Sequence, residues 1–147
     1  MFYDFVFPLA LIVPYQVRRR YLVDKMNEHA DNNSCVEITE ADFDAAVLRS
    51  QRPVIVEFWA PWSHPCKILD AALKEVATAC SGSAKVVKVN ADDNPELSLW
   101  YDIQSVPTLL YFVVGELRAR LVGTASAQAI LSKLQSVSPF SSPDQPH

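Results

Sequence analysis

From residue 35 onward the chain alternates short apolar runs with amphipathic stretches. Val36-Glu37-Ile38 has the apolar–polar alternation of a strand. Thr39 and Asp42 offer caps for a helix carrying Phe43, Val47 and Leu48, and Pro53 stops it. Val54–Trp59 (VIVEFW) is nearly all apolar, the pattern of a central strand buried on both faces. A Pro-punctuated loop, APWSHPC, follows. A helix is predicted from about Cys66, with Ile68, Leu69, Leu73, Val76 and Ala77 along it and Gly82 at its end. Val86, Val87 and Val89 mark a second buried strand, and Asn94-Pro95 opens a helix with Leu97, Leu99 and Trp100. After Pro107, Thr108–Val113 reads as a strand, Gly115-Glu116 as a hairpin turn and Leu117–Val122 as the return strand. Gly123 breaks it, and Ile130, Leu131 and Leu134 mark a last helix. The order is βαβαβαββα, an α/β class with parallel pairing first and an antiparallel edge later.

The flanks depart from this pattern. Residues 1–25 hold four basic residues (Arg18, Arg19, Arg20, Lys25) and two acidic ones (Asp4, Asp24), net +2. The 147 residues together carry −4, which leaves −6 for the rest. Residues 26–34 (MNEHADNNS) read as a polar linker, residues 35–136 as one domain, and residues 137–147 as a Pro/Ser tail expected to be disordered. The negative balance lacks the basic footprint of a nucleic-acid binder. No apolar run reaches 18 residues, so a conventional membrane-spanning helix is excluded. Three cysteines, an odd number, do not make a secreted disulfide framework. They fit a reducing compartment, or one thiol kept for chemistry, and a cytoplasmic location is expected.

The apolar stretch Phe5–Val13 would span about 14 Å as a helix, against a hydrocarbon core of about 30 Å. No basic residue precedes it and no small-x-small cleavage site follows, so it resembles the apolar region of a signal peptide in length only. Three readings stay open: an arm that packs on the domain or frays; a weak membrane-surface anchor through residues 1–20, helped by the three arginines; or a start at Met26, which leaves 122 residues.

Several blocks carry a family resemblance. VIVEFWAPWSHPCK resembles the active-site segment of the thioredoxin family, usually a strand, Phe-Trp-Ala, a Trp, then Cys-Gly-Pro-Cys-Lys. KVVKVNADDNPEL resembles that family's next strand and turn, and VPTLLYFVVGE its cis-proline segment and hairpin. Gly123 falls where the family has a binding-surface Gly. The blocks keep the family's spacing and cover about residues 35–134. The resemblance implies a thioredoxin-like fold, with a central mixed sheet of about five strands flanked by about four helices. It implies protein or peptide thiol/disulfide partners and no cofactor.

The chain departs from the family at one decisive position. Disulfide exchange with two thiols needs an exposed thiolate at a helix N-terminus and a second thiol one turn on. Here the first position is Ser63, and only the second, Cys66, remains. A serine hydroxyl cannot form a disulfide. Cys80 lies 14 residues after Cys66, about 21 Å along a helix, far beyond the ~7 Å limit for a bridge. Cys35 precedes the first strand and does not obviously substitute. An ordinary dithiol reductase is therefore not expected. The expected function is a single-thiol redox-family protein that forms mixed disulfides through Cys66. The alternative is a non-catalytic peptide- or protein-binding module on the same fold.

Each site residue has two readings. Cys66 is either a nucleophile or a buried small hydrophobe. Ser63 stands in the degenerate nucleophile position and is expected to cap the helix. His64 and Pro65 replace the family's Gly-Pro; His64 either contacts a partner or is an exposed loop residue. Glu57 occupies the position of the family's buried acid and Lys88 that of its lysine partner. They serve as a proton acceptor and its partner if Cys66 reacts, and otherwise form a half-buried ion pair. Trp59 is expected in the core and Trp62 at the surface. Trp62, Val106, Pro107, Val122, Gly123 and Thr124 match the family's apolar substrate groove. The resemblance implies a cis Val106–Pro107 bond, with the Val106 backbone presented to an extended peptide. Metal binding is not expected, because His29, His64 and His147 are scattered and Cys66 lacks a second ligand at zinc spacing.

Overall fold

A computed structural model describes residues 35–138 of the chain. The expected arm (1–25), the linker (26–34) and all but the first two residues of the tail (137–147) lie outside the described residues, as do His29 and His147.

Nine elements follow in the expected order. β1 is Val36–Glu37, and α1 is Glu40–Phe43, continued by a π turn over Asp44–Leu48. β2 is Val54–Trp59, α2 His64–Ala79, β3 Lys85–Asn90 and α3 Pro95–Trp100. β4 (Thr108–Val113) and β5 (Glu116–Val122) form the hairpin, and α4 is Ala127–Val137. Helix α4 thus ends one residue past the expected domain boundary. The sheet order is β1-β3-β2-β4-β5. β1, β3 and β2 run parallel, and β2–β4 and β4–β5 pair antiparallel. This is the five-stranded mixed sheet with four helices that the sequence predicts.

Alternation along β2 builds two cores. Val54, Val56 and Phe58 join Phe43, Val47, Val87, Val89, Leu97 and Phe112 on one face, with α1 and α3 above them. Ile55 points the other way, into Leu69, Leu73, Val76, Leu109, Tyr111, Ile130 and Leu134, under α2 and α4. Period-two alternation places Glu57 and Trp59 on that second face as well.

Three local differences from the sequence reading have physical causes. Helix α2 starts at His64, two residues early, because Ser63 caps it and Pro65 sits in the first turn, where its missing N–H is not needed. The hairpin turns on Val114 (φ 50°) and Gly115 (φ 79°), one residue before the expected Gly115-Glu116. Two successive positive φ angles match the twist of the strands, and a Cβ at residue 115 would run into the Leu48 carbonyl. On α3 only Leu97 is buried, while Leu99 and Trp100 face solvent, as does Ile68 on α2.

Candidate functional site

The candidate residues converge at one end of the sheet. β2 and β3 end there, β4 begins there after Pro107, and β5 ends there at Val122. Register ties the four together: Thr108 pairs with Phe58 on one side and with Val122 on the other. The Ala91 N–H donates to the Trp59 carbonyl (2.8 Å), and the Gly123 N–H to the Pro107 carbonyl (2.9 Å). The carboxyl edge of a parallel sheet is where open α/β folds place their sites.

The loop after β2 delivers Ser63 and Cys66. The Ser63 N–H donates to the Ala60 carbonyl (3.1 Å), and its Oγ accepts from the Cys66 N–H (3.3 Å). Ser63 is therefore the N-cap of α2, satisfying one orphan donor of its first turn. Cys66 is 3 % exposed, its thiol turned inward. His64 and Pro65 are exposed, with His64 on the first turn of α2 and not in the preceding loop.

The rim is apolar. Trp62 is 71 % exposed, and its indole Nε1–H donates to Asp92 Oδ2 at 2.8 Å. Asp92 follows β3, and its own N–H donates to Asn90 Oδ1, so the strand end holds the residue that orients Trp62. Pro107 is buried, Val106 half-buried, and the bond between them is cis. Val122 and Thr124 are exposed and Gly123 half-buried.

Beneath the first turns of α2 lies a charged cluster. Glu57 is fully buried, and neither carboxylate oxygen has a hydrogen-bond partner among the described residues. Lys88 pairs beside it in the parallel register, with its ammonium 3.6 Å from Glu57 Oε2. A closer partner is Asp70, whose Oδ1 accepts from Lys88 Nζ at 2.7 Å. Lys88 Nζ also stands 4.7 Å from the Trp59 ring centroid, a cation–π contact. Trp59 is half-buried, and its Nε1 is buried without a partner among the described residues. Burial, above all, pushes the Glu57 carboxyl up to about 7, against the pull of Lys88 and with a smaller push from the Asp70 charge. Burial pulls the Lys88 ammonium down, but the Asp70 hydrogen bond and the two carboxylate charges outweigh it and hold it above its usual value.

The expected Glu57–Lys88 pair is thus part of a three-member cluster. Asp70 sits at i+4 from Cys66 on α2, one turn along the same helix face. Its only sequence signal is a carboxylate next to the stripe of Leu69 and Leu73. Cys35, set apart in the sequence reading, lies within electrostatic reach of Lys88, Glu57 and Asp70. Burial pushes its thiol up to about 11, so it stays protonated at neutral pH. Burial likewise raises the Cys80 thiol, at the far end of α2. Nothing in the spacing of residues 57, 70, 88 and 92 announces these contacts, which span 18 to 31 residues of chain.

Comparison with known proteins agrees with this architecture. The thioredoxin family model matches residues 34–136. A thioredoxin of Pyropia yezoensis is 39 % identical over 101 residues, 69 % of this chain and 94 % of that protein. A thioredoxin of Mycobacterium tuberculosis is 36 % identical over 110 residues, 75 % of this chain and 95 % of that one. Thioredoxin 1 of a Nostoc strain is 37 % identical over 103 residues, 70 % and 96 % respectively. With a family match over most of its length and relatives covered almost end to end, the chain belongs to the thioredoxin family.

Proposed function

We propose that this chain is a single-thiol member of its redox family. It binds an extended peptide of a partner protein across Trp62, Val106, Pro107, Val122, Gly123 and Thr124, and takes a partner sulfur as a mixed disulfide on Cys66. With Ser63 in the family's first-cysteine position, no internal disulfide closes at the motif, so this is not an ordinary dithiol reductase. The observation that carries the reading is Glu57, a buried carboxyl with no hydrogen-bond partner among the described residues, titrating near neutrality on the sheet face covered by α2, the helix that bears Cys66. Such a group takes the proton from a thiol at working pH. The ionised Glu57 accepts the Cys66 proton, and the thiolate attacks one sulfur of the partner's disulfide. That S–S bond breaks as the new one forms. The partner's other sulfur leaves as thiolate and picks up the proton from Glu57. A second, external thiol then releases the mixed disulfide. The odd number of cysteines suits a reducing compartment, and we place the protein in the cytoplasm.

One observation favours a second reading, a binding module that uses the groove without thiol chemistry. Cys66 is nearly inaccessible, so a partner sulfur reaches it only if the Ser63 turn opens.

The rate of Cys66 alkylation against pH separates the two, with Cys35→Ser and Cys80→Ser in the full chain. The single-thiol reading expects Cys66 to be labelled in the folded protein. It also expects one added glutathione on Cys66 after exposure to glutathione disulfide. Labelling only on unfolding would leave the binding module, and Trp62→Ala would then be the variant that weakens partner capture.

A further inference from the structure

Lys88 stands between two carboxylates in opposite surroundings. Glu57 is wholly buried, and its nearer oxygen is 3.6 Å from the ammonium, beyond hydrogen-bond range. Asp70 has a side chain 40 % exposed and accepts a 2.7 Å charge-assisted hydrogen bond from the same nitrogen. The Trp59 ring offers the ammonium a further contact at 4.7 Å. Water stabilises the Asp70 charge, whereas neither Glu57 oxygen has a hydrogen-bond partner among the described residues.

We propose that Asp70 is a positioning residue. It draws the Lys88 ammonium to the rim of the cluster, so that Glu57 is not locked as the carboxylate of an ion pair and remains free to take up and release a proton. Without the Asp70 charge, Lys88 would turn its hydrogen bonds onto Glu57, and the buried acid would stay ionised.

The other groups around Glu57 do not supply this control. Cys35, ahead of β1, is a neutral thiol facing the same charges, with Lys74 of α2 acting on it. Across β4, Glu57 meets Leu109. Farther along that strand Tyr111 donates its hydroxyl to the Ile130 carbonyl of α4 and is pushed up to about 12 by burial. Helix α2 also carries the Cys66 thiol, one turn before Asp70. Lys88 of β3 is the cation that reaches Glu57, and Asp70 is what holds it back.

This inference rests on the reading that Glu57 serves Cys66, but its test needs no thiol reaction, so the two can fail separately. The pH titration of the Glu57 carboxyl carbon is followed by NMR in the full chain, assigned by its loss in Glu57→Gln. Asp70→Asn is expected to lower the midpoint by about one pH unit, and Asp70→Glu to restore it. Asp70→Ser, which also removes the charge, is read alongside, so the test survives a poorly folding Asn variant. In a Lys88→Met background Asp70→Asn should move the midpoint by less than half as much, since the positioned lysine is gone. A midpoint unmoved or raised by Asp70→Asn overturns the proposal. So does an equal shift with and without Lys88, which would make Asp70 a plain neighbouring charge.

Discussion

The two faces of β2 bury their side chains equally well and do opposite things with them. Val54, Val56 and Phe58 pack into an apolar cluster from α1, α3 and the flanking strands, edged by buried Lys85, whose ammonium donates to the Ala46 carbonyl. One residue over, Ile55, Glu57 and Trp59 alternate onto the face beneath α2 and α4. There the apolar layer gives way, toward the site end of the strand, to a carboxyl, an ammonium and an indole N–H. Burial on the first face converts hydrophobic area into stability. On the second it turns an ordinary glutamate into a group poised near neutrality, at a cost in stability that grows with its ionisation. A single strand therefore supplies both the anchor of the fold and the floor of the candidate site.

The largest effect that separates the faces is a truncation on the apolar one. Phe58→Ala should destabilise by about 3–5 kcal/mol, because it opens a cavity in a closed core. Urea denaturation measures it, and a loss under about 1 kcal/mol would mean that this face is not the anchor. On the other face the effect depends on pH. Glu57 titrates at about 7 when folded, against 4.5 as an isolated group. The folded state therefore holds more protons between those values, and stability falls as pH rises from about 4.5 to about 7 and then levels off. The linkage amounts to on the order of 3 kcal/mol. Glu57→Gln should flatten that slope. A stability–pH profile of Glu57→Gln that overlays the native one across this window would remove Glu57 from the account. The smallest effect lies at the lip of the site. Ser63→Ala removes the acceptor of the Cys66 N–H and should cost about 1 kcal/mol at every pH in that window. An unchanged urea midpoint would deny Ser63 its capping role.

Particular residues show how far the sequence could be read. The VIVEFW run is a buried central strand because six such residues have no polar face to offer, and it lies at the centre of the sheet. The stripe through Leu69, Leu73 and Val76 marks the inner face of α2, although Ile68, equally apolar, turns outward. Leu99 and Trp100 could not be sorted from Leu97 by type. A six-residue helix buries only the side facing the sheet, and its phase is set by how Asn94 and Glu40 lock its start: Asn94 Oδ1 accepts from the Glu40 N–H, and Glu40 accepts from the Glu96 and Leu97 N–H groups. Glu57 and Lys88 were legible as candidates for the site. Asp70 and Asp92 were not, since one carboxylate among 17 acidic residues looks like any other until a partner is set beside it.

By itself the sequence determined whatever is local or covalent in this protein. It settled the order of strands and helices, the cap that Ser63 can offer and, through the identity of residue 63, the absence of a thiol there. Hydrophobic period and the chemistry of a side chain are carried by neighbouring residues, so no folding is needed to read them. Only the tertiary structure decided that Lys88 leans to Asp70 and away from Glu57, that Asp92 holds Trp62, and that Cys66 faces inward. It also decided that the buried carboxyl titrates near neutrality. Each of these depends on distance and on exclusion of water, and those quantities exist only once residues far apart in the chain have been packed together.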